Sequence, residues 1–119
     1  MNWNKLQVQK KVKNALREDL GEKGDITSGN LLTAQQRGRG LIISRQEGII
    51  SGLEVAAMVF QECNSNLSFK KEINDGEKVE KGEEIARVEG SVRDILIGER
   101  TALNFLQRLS GIATKTAAY

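Results

Sequence analysis

Apolar positions recur with helical spacing in three stretches of the chain and alternate with polar ones in the segments between. Val8, Val12, Ala15, Leu16 and Leu20 fall on one face of an opening helix, which Gly21 is expected to end in a left-handed conformation. Leu53 to Cys63 predicts a second helix, with Val55, Ala56, Val59 and Phe60 spaced for one face. The third helix runs from about Ser91 to Leu109, where Val92, Ile95, Leu96, Ala102, Leu103, Leu106 and Leu109 share an arc. Ser91 can cap it and Asp94 suits its first turn. Gly40–Ser44 and Gly48–Ser51 read as two short strands with residues 45–47 at their turn. Leu67, Phe69 and Ile73 alternate as a strand that Asn74-Asp-Gly76 turns, and 78–88 supplies more strand, interrupted at Lys81-Gly82. Helix, strands, helix, strands, helix is an α+β order, with helices packed on a mostly antiparallel sheet.

Three residues of the third helix complicate a simple amphipathic reading. Glu99 projects near the middle of the apolar arc, where a bare carboxylate would cost several kcal/mol, so it is expected to be paired or near water. Ile97 and Phe105 point off the main stripe, which asks for a second covering surface, a partner domain or subunit.

The composition narrows the classes. At 119 residues the chain is expected to be one domain, and 39% hydrophobic content with only 4% aromatic predicts a core of Ile, Leu and Val. A net charge of +2 with 29% charged residues is too balanced to argue for nucleic acid. No apolar run approaches the roughly 18 residues of a membrane span, and no basic-then-apolar leader opens the chain. The lone Cys63 offers no internal disulfide. A cytoplasmic protein with neither membrane nor nucleic-acid partner is expected.

Candidate chemistry is sparse. The chain has no histidine and one cysteine, so neither a histidine-based triad nor a His- or Cys-rich metal site is expected within it. The glycine-bearing runs 21–25 and 75–78 lack phosphate-loop or dinucleotide spacing and read as turns. Asp25 and Thr27 are expected to bond local backbone, and Glu18 and Asp19 to be solvated. What remains is a polar strip on the third helix: Arg93, Arg100, Asn104 and Arg108. Guanidinium presents a planar, permanently charged fork that fits carboxylate or phosphate. The residues alone leave open whether this strip binds a ligand or is an ordinary solvated face.

The run Gly98-Glu-Arg-Thr-Ala-Leu-Asn-Phe-Leu-Gln-Arg-Leu-Ser-Gly-Ile-Ala-Thr114 resembles the signature of the quinolinate phosphoribosyltransferases, also called carboxylating nicotinate-nucleotide pyrophosphorylases. Ala15–Gly21, Gly24-Asp-Ile-Thr-Ser28, Glu47–Leu53, Asp75–Gly82 and Val88-Glu-Gly90 agree in order, so the resemblance covers nearly the whole chain. It implies an α/β hammerhead-like amino-terminal domain over 1–109, with 110–119 starting the connection to an α/β barrel that the chain lacks. The tail from Thr114, a good helix former, looks like a cut at the entry to that barrel. The implied enzyme is a dimer that joins quinolinate to phosphoribosyl pyrophosphate with magnesium, giving nicotinate mononucleotide, pyrophosphate and carbon dioxide for NAD synthesis. The resemblance places on Arg100 the arginine that crosses the dimer interface to hold a quinolinate carboxylate. Catalytic and magnesium residues are expected in the barrel, and the chain alone is expected to be inactive. Arg93 and Arg108 are expected to have solvated or interdomain roles. Two alternatives stay open: a molybdenum-transport-associated homologue of the same fold, and a biotinyl- or lipoyl-like binding module. The second is suggested by Asp75-Gly-x-x-Val-x-x-Gly-x-x-Ile85, although no lysine-bearing hairpin is apparent.

Overall fold

The computed structural model describes residues 5–23 and 36–117 of the chain. In order these form α1 (Lys5–Lys23), β1 (Arg37–Ser44), β2 (Gly48–Ile49), α2 (Leu53–Cys63), β3 (Ser68–Lys71), β4 (Lys78–Val79), β5 (Glu84–Ser91), α3 (Val92–Ser110) and β6 (Thr114–Ala117). The expected loop carrying Asp25 and Thr27 lies outside the described residues.

β1, β3, β5 and β6 make a four-stranded antiparallel sheet in the order β3-β5-β1-β6. Period-two alternation decides which side faces the helices. In β1, Gly40, Ile42 and Ser44 are buried, while Leu41 and Ile43 on the other side are half-buried. Ile42 stands opposite Ala86, and Gly40 opposite Val88, so the inner face is continuous across the two central strands. α2 and α3 pack together on that face, and α1 packs on α2 and α3. The α+β, hammerhead-like architecture is therefore as the sequence implies: helices on one side of a mostly antiparallel sheet.

Aliphatic side chains dominate the core. Ile42, Leu53, Val59, Ile85, Ile95 and Leu106 are fully enclosed, and Phe60 is the only fully buried aromatic ring among the described residues. Phe60 stacks on Phe69, with ring centroids 5.8 Å apart.

Three local readings need correction. Gly21 does not end α1, which continues through Lys23; glycine weakens a helix without forbidding it. The strands on either side of residues 45–47 do not pair with each other. β1 belongs to the large sheet, whereas β2 pairs with β4 in a separate two-stranded ribbon. The tail is not helical, because Thr114–Ala117 pairs with β1 from Ser44 back to Leu41. On the second side of α3, Ile97 and Phe105 are half-buried and line the grooves that α3 makes with α1, beside Leu16 and Ala15.

Candidate functional site

The candidate strip depends on how α3 is seated. The Ser91 hydroxyl accepts the Asp94 backbone N–H at 3.5 Å, so the expected cap forms. The Asp94 side chain is almost entirely buried and accepts a 2.8 Å hydrogen bond from Asn64 Nδ2, at the end of α2. Arg93 Nε lies 3.5 Å from Asp94 Oδ1. This pairing was not legible beforehand, because Asn64 and Asp94 are 30 residues apart and the first-turn signal of Asp94 does not point to Asn64.

Burial on α3 is rotated from the apolar arc. Asp94, Ile95, Gly98, Thr101, Ala102 and Leu106 are buried, whereas Leu103 is half-buried and Leu109 is 40% exposed. The physical reason is close approach at a glycine. A Cβ on Gly98 would stand 2.9 Å from Cys63 Sγ, so α3 turns its smallest residue toward α2. Glu99 therefore sits on the flank, half-buried and engaged in an interaction of its own.

The signature run thus separates into two kinds of residue. Gly98, Thr101, Ala102 and Leu106 build the core. Ser110, Gly111 and Ile112 end the helix: Gly111 takes the left-handed conformation at φ 72° and donates its N–H to Gln107, while Ile112 packs inward. Arg100, Asn104 and Arg108 stay exposed, one turn apart, with roughly 6 Å of rise between neighbours. Among the described residues no ion pair or hydrogen bond holds the Arg100 guanidinium. Arg93, the fourth member of the expected strip, is half-buried and turned to Asp94. The structure therefore brings together three of the four.

Two grooves border α3. A small one of about 70 Å³ between α1 and α3 is lined by Glu18, Thr101, Asn104, Phe105 and Arg108, with Ala15 at its wall. A wider one of about 410 Å³ lies among all three helices, lined by Lys13, Leu16, Arg17, Glu62, Cys63 and Ile97. Burial pushes the Cys63 thiol up to about 12, with Asp94 and Glu62 adding to the shift, so it is protonated and contributes an apolar surface.

No group of three or more His, Cys, Asp or Glu converges to hold a metal ion among the described residues. Among the described residues β5 runs directly from Ser91 into α3 at Val92, and Lys81 lies in the turn between β4 and β5, which belong to different sheets and form no hairpin with each other. No described helix is long and apolar enough to cross a membrane.

The fold and sequence have clear relatives. Over 104 residues the chain is 40% identical to quinolinate phosphoribosyltransferase (decarboxylating) 1b of Nicotiana tabacum, covering 87% of this chain and 30% of the relative. It is 38% identical over 105 residues to the probable nicotinate-nucleotide pyrophosphorylase (carboxylating) of Methanothermobacter thermautotrophicus, covering 88% of this chain and 37% of that protein. The crystal structure of NadC from Streptococcus pyogenes superimposes with a TM-score of 0.86 at 30% identity, covering 93% of this chain and 39% of the other. The chain thus spans about a third of the length of the proteins it matches. Residues 25–110 match the family described as quinolinate phosphoribosyl transferase, N-terminal domain, and the chain belongs to that family.

Proposed function

We propose that this chain is the quinolinate-facing amino-terminal domain of an enzyme that converts quinolinate and phosphoribosyl pyrophosphate to nicotinate mononucleotide, pyrophosphate and carbon dioxide. In this reading Arg100 holds a quinolinate carboxylate in the partner subunit's site of a homodimer. The observation that carries it is the state of Arg100: in a signature run where Gly98, Thr101, Ala102 and Leu106 build the core and Ser110 to Ile112 end the helix, its guanidinium is exposed and no ion pair holds it among the described residues. A dicarboxylate substrate needs cations where it binds, and a planar guanidinium fork supplies one with direction as well as charge.

The division of the chain belongs to the same reading. Residues 1–109 form the domain and 110–119 begin the connection to a barrel, with β6 both completing the sheet and starting that connection. Magnesium, which would neutralise the pyrophosphate leaving group, is assigned in this reading to residues of the barrel. A cytoplasmic location goes with the reading, supported by a chain whose single cysteine allows no internal disulfide.

The test is the full enzyme assayed for pyrophosphate release that depends on quinolinate. The wild type is expected to turn over and the 119-residue chain alone to be inactive. A charge-assisted contact to carboxylate is worth about 1.5–3 kcal/mol, so Arg100→Ala should weaken quinolinate binding roughly 10- to 150-fold. Binding of phosphoribosyl pyrophosphate should change much less. An Arg100→Ala enzyme with unaltered quinolinate affinity would remove the assignment.

A further inference from the structure

The turn Asn74-Asp-Gly76 holds a chemistry that the proposed function does not use. Asp75-Gly76 is the only Asp-Gly step in the chain, which has no Asn-Gly step. In such a step the main-chain nitrogen of the glycine can attack Cγ of the preceding aspartic acid, because glycine has no Cβ to crowd the approach. The N–H proton and the carboxyl hydroxyl leave as water, and a five-membered succinimide closes. Water added to one carbonyl of the ring restores aspartate. Water added to the other gives isoaspartate, whose main chain runs through Cβ and Cγ. The product has the mass of the starting chain, and no oxidant or cofactor enters.

Burial does nothing to prevent this here. Asp75 and Gly76 are both exposed, and a Cβ on Gly76 would meet nothing within 4 Å. Hydrogen bonding does the work instead. The attacking nitrogen of Gly76 donates its N–H to the Ile50 carbonyl at 2.8 Å, and the carboxylate of Asp75 accepts the Leu53 N–H at 3.0 Å. The Ile50 N–H in turn reaches the Glu77 carbonyl at 3.0 Å, while Gly48 and Ile49 pair with Val79 and Lys78. Nucleophile and electrophile are neighbours in sequence, yet each is drawn to a different atom of the segment 50–53. Reaction requires both bonds to break, and the fully buried Ile50 and Val79 anchor the ribbon that holds them.

We propose that Asp75-Gly76 is an isoaspartate-forming site locked by the β2–β4 ribbon, and that isomerisation prevents the lock from forming again. Isoaspartate adds one atom to the main chain at the turn and moves the free carboxylate onto Cα. The cap on Leu53 and the bond from Gly76 to Ile50 then no longer fit together. The chain thus keeps a covalent record of the time this turn has spent open. The inference is independent of the role of Arg100.

Incubating the chain in heavy-oxygen water, native or unfolded in guanidinium chloride at the same pH and temperature, tests this. Each passage through the ring leaves a heavy oxygen at residue 75, and fragmentation of its peptide tells the two isomers apart. The native chain should react at least on the order of tenfold more slowly than the unfolded one, as groups behind an opening step do. Equal rates would show the turn unlocked and overturn the proposal. Asp75→Asn gives a faster reporter, because ammonia leaves in place of water while the amide oxygen still caps Leu53. It should deamidate slowly when folded and quickly when not, and rapid loss of ammonia from the folded variant would count against the lock. Val79→Ala, which trims the anchor of the ribbon, should speed the native reaction more than Val88→Ala, the same truncation in the large sheet. Equal acceleration by the two would assign protection to the whole fold and overturn the part given to the ribbon. After refolding, molecules with isoaspartate at position 75 should unfold at lower denaturant than those with aspartate. Coincident midpoints would show that the turn rebuilds around the altered main chain, against the proposal.

Discussion

Asp75 Oδ1 accepts a 3.0 Å hydrogen bond from the backbone N–H of Leu53, so a turn between β3 and β4 caps a helix that starts 22 residues earlier. Gly52, at the N-cap of α2, has φ 99° and no side chain to offer. The sequence reads Asn74-Asp-Gly76 correctly as a turn, and the fold gives its aspartate a second task. Loss of an N-cap acceptor costs about 1 kcal/mol, so Asp75→Ala should lower the urea midpoint accordingly while Asp75→Asn retains most of it. An Asp75→Ala chain as stable as the wild type would show that α2 needs no distant cap.

The end of α3 offers a cleaner measurement of backbone preference. A Cβ on Gly111 would meet nothing within 4 Å, so the cost of substitution there is conformational alone. Gly111→Ala should destabilise the chain by about 1–2 kcal/mol, the penalty of a left-handed L-residue, and Gly111→Asn by less. Gly48→Ala is the steric contrast, because its Cβ would fall 2.7 Å from Cδ1 of Ile112. Its effect should shrink when Ile112 is shortened to Ala, which removes both Cδ1 and the Cγ1 at 2.8 Å, whereas the Gly111 effect should not respond.

These two glycines also show what the sequence could and could not disclose. The span and cap of α3, the span of α2 and the turns at 74–76 and 81–82 follow from local chemistry: a hydroxyl before an apolar period, or a glycine where the chain reverses. Pairing does not. Nothing near Thr114 announces that it will lie beside Ser44, because a four-residue edge strand owes its conformation to a neighbour 70 residues away in the chain. The rotation of α3 was hidden for a related reason. An apolar count gives no weight to Gly98, Thr101 and Asp94, which are buried because α1 and α2 come close there. Helical periodicity puts Arg93 and Arg100 on one face, and only the structure shows Arg93 turned to Asp94 while Arg100 stays exposed.

Cys63 should behave as an inert thiol. Its raised pKa, about 12, leaves almost no thiolate at pH 8, so alkylation of the folded chain should be far slower than alkylation in denaturant. The linkage has a definite sign. Above pH 9 the unfolded chain loses this proton while the folded chain keeps it until about 12, so stability falls with rising pH across that window. Cys63→Ala should flatten the fall in urea midpoints between these pH values. Rapid labelling of the native thiol at pH 8 would contradict the burial seen here.

The sharpest functional prediction is that Arg100 works in the partner's site. Arg100→Lys should recover only part of the quinolinate affinity lost in Arg100→Ala, because an ammonium keeps the charge without the planar fork. If the contact crosses the interface, a dimer mixing one Arg100→Ala subunit with one subunit crippled in the barrel has one intact site. The crippled subunit lends its arginine to the other's healthy barrel. Each parent dimer is impaired, so activity in the mixture must come from the mixed species, and random exchange of equal amounts makes roughly half of all dimers mixed. Activity should therefore rise well above the mean of the two parents. With mixed dimers verified by native mass measurement, a rate no higher than that mean would show that Arg100 serves its own subunit or none.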